Sequence, residues 1–112
     1  MGSGTASASQ DGPLVKNKNG SASAWFQSNK DIFWVGDWKA DGYKTAAVWA
    51  AMVPCGGMNP PCENFAMNTK GANTGVPVQY RLGNNVPLRY RACTIGKNGA
   101  LVSCSDLASA LS

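Results

Sequence analysis

The sequence predicts an all-β chain, a small antiparallel β-sandwich or barrel of about six to eight strands, stapled by disulfides. Three observations lead there. Turn-forming clusters of Gly, Asn, Asp and Pro recur at roughly the intervals of about 8 to 12 residues expected of such folds. The runs between them are β-branched and aromatic, with a period of two. No long segment has the 3.6-residue period of an amphipathic helix. At 112 residues the chain fits one domain, with residues 1–23 read as a flexible N-terminal arm and 24–112 as the sandwich.

From Met1 to about Ala24 the chain is rich in Gly, Ser, Ala, Thr and Asn. Such composition buries too little apolar surface to offset the entropy of ordering. One stretch interrupts it, Pro13-Leu14-Val15-Lys16-Asn17-Lys18, extended-prone and cationic. It suits pairing with a strand edge or lying in a partner's groove, so Leu14, Val15, Lys16 and Lys18 are the candidate partner-binding residues. The plainer alternative is that it forms the first strand of the domain. Leu14 and Lys16 are two apart and would point to one face of an extended segment.

Ala24–Gln27 reads as a strand, and after the polar turn Ser28-Asn29-Lys30-Asp31 so does Ile32–Trp38, with Phe33, Val35 and Asp37 on one face and Ile32, Trp34 and Trp38 on the other. Asp41-Gly42 marks a turn, and Tyr43–Val53 is expected to return as the partner strand of a hairpin spanning Ile32–Val53. The Gly- and Pro-rich segment from Pro54 to Cys62 excludes both helix and ladder strand. Glu63–Gly75 reads as loop with one short strand at Asn64–Met67. Val76–Leu82 is a strand in which Pro77 marks a start or an edge. Val86–Ile95 follows, with Leu88, Tyr90 and Ala92 facing one way and Arg89 and Arg91 the other. With Arg81 across the turn, these arginines form a candidate cationic surface for carboxylate or phosphate; a solvated strand face is the competing reading.

The last hairpin is the most specific local signal. Ala100–Ser105 pairs back on the preceding strand through Gly96-Lys97-Asn98-Gly99, and Asn-Gly is the preferred centre of a tight β-turn. Residues whose numbers sum to 197 then face each other, and Cys93 and Cys104 are such a pair. Counting outward from the turn assigns the cysteines to the wider, hydrogen-bonded spacing, unless a bulge intervenes. Of the three connectivities open to four cysteines, Cys55–Cys62 with Cys93–Cys104 closes two local loops. The tail Asp106–Ser112 places Leu107 and Leu111 at helical spacing and reads as a helical turn or a frayed end.

Composition narrows the function. Histidine is absent, which removes the serine and cysteine triads and most zinc sites. Any facing pair among the six acidic residues would have to come from positions that read as turns, so no catalytic residues, metal or cofactor are expected. A net charge of +4 with 14% charged residues is too sparse for a nucleic-acid footprint. No apolar run reaches membrane-spanning length. Met1-Gly2-Ser3-Gly4 has no apolar core of a signal peptide and reads as an added start on a mature protein. Four cysteines in so short a chain point to an oxidising, extracellular compartment, hence to a secreted protein.

The run FWVGDWKADGYKTAAVW and the closing YRACTIGKNGALVSCS resemble small secreted proteins of filamentous actinobacteria. The residues that carry the likeness are Phe33, Val35, Asp37, Ala40, Asp41, Gly42, Tyr90, Arg91, Cys93, Ser103 and Cys104. Within that group the described role most similar is the adaptor subunit of secreted umbrella-toxin particles. That resemblance implies a β-sandwich whose N-terminal arm enters the cleft of a degenerate trypsin-like domain on a lectin-bearing subunit and links it to a large toxin subunit. By the resemblance, Leu14, Val15 and Lys16 are the arm's contact residues. The expected function is thus a non-enzymatic protein-binding or adaptor module. Two alternatives remain: a protease inhibitor or toxin-like effector using the Cys55–Cys62 loop, and a carbohydrate-binding module using Trp34, Trp38 or Trp49.

Overall fold

The computed structural model describes residues 10–52, 62–83 and 85–112. It is all-β, with two antiparallel sheets facing each other. In chain order the strands are β1 (Val15–Lys16), β2 (Ala22–Gln27), β3 (Ile32–Asp37), β4 (Lys44–Ala51), β5 (Cys62–Asn68), β6 (Thr74–Gln79), β7 (Pro87–Ile95), β8 (Leu101–Cys104) and β9 (Ala108–Leu111). Sheet I runs β1-β2-β3-β6 and sheet II runs β5-β4-β7-β8. β9 shares the flank of β7 with β8, pairing with Pro87–Tyr90 while β8 pairs with Cys93–Ile95.

Alternation along each strand builds the core. Phe26, Phe33 and Val35 point inward from sheet I, and Trp49, Leu88 and Tyr90 point inward from sheet II. Phe33 is the hub, its ring 4.8 Å from Phe26, 5.3 Å from Trp49, 5.5 Å from Tyr90 and 6.0 Å from Tyr80. Small inward residues, among them Ala22, Ala24, Ala47, Ala66, Ala92 and Ala110, leave room for these rings, so large and small side chains interdigitate across the layer. Asn68 ties the sheets together on the β5–β6 side, its Nδ2 donating to the Val35 carbonyl at 3.0 Å and the Thr74 carbonyl at 3.1 Å.

The opposite side is closed by residues 10–16, expected in a flexible arm but built into both sheets here. Gln10 and Leu111 exchange two backbone hydrogen bonds, of 3.0 and 3.1 Å, and the Gly12 N–H donates to the Phe26 carbonyl at 2.9 Å. β1 then pairs with β2 through Val15↔Ala24 and Lys16↔Ser23. The Tyr90 hydroxyl donates to the Pro13 carbonyl, and a Cβ on Gly12 would overlap the Tyr90 ring, so only glycine permits this approach. The boundary expected at residue 24 therefore moves toward the N-terminus. Low hydrophobicity misled because the polar residues satisfy one another: Asn17 donates to Ser21 Oγ at 2.9 Å and accepts from the Ala22 N–H at 3.0 Å, and both polar side chains are buried.

Two further expectations are corrected. Ile32–Val53 is not a hairpin, because β3 and β4 lie in different sheets. Both flanks of β3 are occupied, by β2 and β6, and both flanks of β4, by β5 and β7. The Asp41-Gly42 turn, with Gly42 at φ 79°, carries the chain from one sheet to the other. Nor is the C-terminal tail helical: Ala108 and Ala110 are buried and Ser109 is exposed, the period of two that β9 needs to lie along β7. Pro77 is, as expected, on an edge strand, since β6 pairs only with β3 among the described strands.

Cys93 and Cys104 are bridged, as the hairpin arithmetic requires, with their Cα atoms 4.1 Å apart. That is the narrow spacing rather than the wide one. A register shift between Thr94 and Ile95, which pairs Ile95 with Leu101, changes the phase of the ladder. The expected Cys55–Cys62 pairing lies outside the described residues, because Cys55 is not among them.

Candidate functional site

The register of sheet I arranges its outward side chains in rows that run across the strands. Lys16, Ser23, Gly36 and Gly75 face one another in one row, and Trp25, Trp34 and Pro77 form the next, with Gln27, Ile32 and Gln79 beyond. Leu14, one residue before β1, continues the tryptophan row. The three rows make a strip of apolar groups with polar side chains on either side.

Trp38 completes it. A Cβ on Gly36 would fall 2.3 Å from Trp38 Nε1, and one on Gly75 would lie 3.6 Å from its Cη2, so the indole is laid over this cross-strand glycine pair. Two adjacent strands without side chains at that row form a shelf that a flat ring fills. Its Nε1–H donates to Ser23 Oγ at 2.8 Å, and the Trp34 Nε1–H donates to Gln27 Oε1 at 3.0 Å. Trp25 and Trp34 stand nearly parallel, 12° apart with centroids 6.3 Å from each other. Trp38 is 44% exposed and Leu14 55%, which is unusual for large apolar groups sharing one face. Leu14, Lys16, Ser23, Trp25, Trp34 and Trp38 line a shallow hollow of about 270 Å³.

Of the residues singled out in the sequence, the structure brings Leu14 and Lys16 into this hollow. Val15 turns the other way and packs against the core. Lys18 is exposed in the β1–β2 turn. The three arginines do not share a face: Arg89 and Arg91 lie on β7 of sheet II, whereas Arg81 follows β6 of sheet I. Arg91 reaches Glu63 across 3.8 Å, and Arg89 borders a larger hollow of about 480 Å³ against β4 and β9. Trp49 is 4% exposed and belongs to the core. Trp25 was not singled out by sequence; its signal was the register Trp25↔Trp34, legible once β2 and β3 are paired about Ser28–Asp31.

Three carboxylates serve the fold. Asp11 accepts from the N–H and hydroxyl of Ser28, Asp31 from the Leu82 N–H, and Asp41 from the Tyr43 N–H. No group of three or more His, Cys, Asp or Glu is arranged to hold a metal among the described residues. No protein-family model, curated protein or solved structure matches this chain.

Asp37, the last residue of β3, is buried, and its Oδ1 has no hydrogen-bond partner among the described residues. Burial pushes its carboxyl above the ordinary value of 3.8, the nearby Asp41 charge adds to this, and the Lys39 backbone N–H opposes both. A carboxyl raised by folding stabilises the protein fully below its unfolded value, and that contribution is lost as pH rises through the folded value. Asp37→Asn is therefore expected to melt higher than the parent at neutral pH, with the gap closing as pH falls toward 3.8. Melting curves of both proteins across that range check it; a gap that widens on acidification contradicts the assignment.

Proposed function

We propose that this chain is a non-enzymatic secreted binding module of the adaptor kind, which captures a partner on the outer face of sheet I and presents it on a rigid sandwich. One observation carries the reading: Leu14 and Lys16 share that face with the indoles of Trp25, Trp34 and Trp38. Exposed aromatic groups held in fixed orientations supply large contact area with little entropy to lose, the property that marks binding hot spots. Lys16 lies on a strand already paired with β2 and Leu14 immediately precedes that strand, so the partner meets a preformed surface rather than a segment that must fold upon it. The Cys93–Cys104 bridge is compatible with an extracellular setting, and among the described residues no helix is long and apolar enough to cross a membrane.

Gly36→Ala tests the face without removing a ring. The new methyl would fall 2.3 Å from both Ser23 Oγ and Trp38 Nε1, so it must displace the indole together with the hydroxyl that holds it. Coupled to beads, the parent chain should retain a partner from the culture medium of its source organism. Gly36→Ala and Lys16→Glu should each weaken retention about tenfold, equivalent to about 1.4 kcal/mol. Retention unchanged in both variants would overturn the reading.

A further inference from the structure

We infer that the Trp38 shelf and Lys16 form a subsite for an acidic glycan, a chain of pyranose rings bearing carboxylates; this rests on the binding-module reading above. The indole N–H groups decide the class of ligand. Trp38 has given its N–H to Ser23 Oγ and Trp34 its N–H to Gln27 Oε1, so these two side chains offer a ligand ring surface and no hydrogen bond. A peptide laid on such surfaces would leave backbone N–H and C=O groups against carbon, at a cost in desolvation. A pyranose presents C–H groups on its faces and keeps its hydroxyls at the rim. It can therefore cover an indole while its polar groups stay at the edges.

One side chain bordering the tryptophan row can serve those hydroxyls. Gln27, in the row beyond Trp34, keeps its amide nitrogen as a donor once its oxygen has accepted from Trp34, whereas Ser23 is buried beneath Trp38 and its Oγ already accepts from that indole. Along the strands, the Trp38 row and the Trp25–Trp34 row are two residues apart, about 7 Å, so one chain can touch both with neighbouring rings. Charge selects the acidic form. Lys16 is the one ionisable side chain lining the hollow among the described residues, and a single ammonium beside an apolar floor complements a singly charged carboxylate.

The probe is a hyaluronan oligosaccharide titrated into the full chain, read by tryptophan fluorescence and calorimetry, with a neutral cello-oligosaccharide as the comparison. Saturable binding that weakens with added salt, and that falls about tenfold in both Trp38→Ala and Lys16→Glu, is the expected result. Lys16 and Trp38 are exposed, so melting temperatures should be little changed, and Lys16→Glu keeps the test open if Trp38→Ala is destabilised. No saturable hyaluronan binding up to millimolar concentration overturns the inference. Equal affinity for the neutral chain overturns its acidic part. Bead retention of a protein partner that is lost in the variants yet not displaced by hyaluronan overturns the glycan while leaving the binding face in place. Retention insensitive to both substitutions removes the face itself.

Discussion

Phe33→Ala is expected to destabilise the protein by about 3 to 5 kcal/mol, the cost of deleting a fully buried aromatic side chain whose surroundings cannot collapse onto the space. Phe33 touches Phe26, Trp49, Tyr80 and Tyr90, residues on both sheets, so no single strand can shift to fill the void. For a domain of this size the melting temperature should fall by more than about 12 °C. Leu107→Ala, at a side chain 61% exposed, should stay within about 0.5 kcal/mol of the parent. Chemical denaturation of the two variants side by side measures the contrast. A Phe33→Ala loss below about 1 kcal/mol would mean that the ring cluster is not the centre of the core.

The paired substitution of Cys93 and Cys104 by alanine should rank second. The bridge spans a sequence separation of 11, and closing a loop of that size restricts the unfolded chain by about 3 kcal/mol in the chain-entropy account. A fall of about 10 to 20 °C in melting temperature follows. β8 is four residues long and pairs only with β7 among the described strands, so its amides should also lose hydrogen-exchange protection first. An unchanged melting temperature would show that the ladder alone holds this hairpin.

What the sequence made legible was local. Cys93 and Cys104 could be paired because a turn of known chemistry lies midway between them. The inward face of β7, with Leu88, Tyr90 and Ala92, followed from alternation alone. Long-range choices did not follow. Asp41-Gly42 reads as the centre of a hairpin, yet the same turn chemistry serves a crossing between sheets, and only the occupied flanks of β3 distinguish the two. Leu107 and Leu111 fit a helical period, and the alanines between them, which decide for a strand, give a weak signal by themselves. The site was half legible: Leu14 and Lys16 were correctly assigned to one face, but the indoles they meet belong to β2, β3 and the turn beyond. Trp38 in particular depends on Gly36 and Gly75 being neighbours across strands thirty-odd positions apart in the chain, a coincidence no local pattern reports.

The pairing of Gln10 with Leu111 sets how the molecule bears mechanical load. In an antiparallel pair the chain enters before one residue and leaves after the other on the same side. Tethers attached upstream of residue 10 and downstream of residue 111 would therefore emerge together. Tension between them would open the Gln10–Leu111 bonds one at a time, as a zipper, rather than shearing a ladder in parallel. Load would then pass from one end to the segment that closes the gap between the sheets, and from the other end to β9 and the backbone bonds of Ser112. Phe33, on β3, lies beyond the strands with which these segments pair.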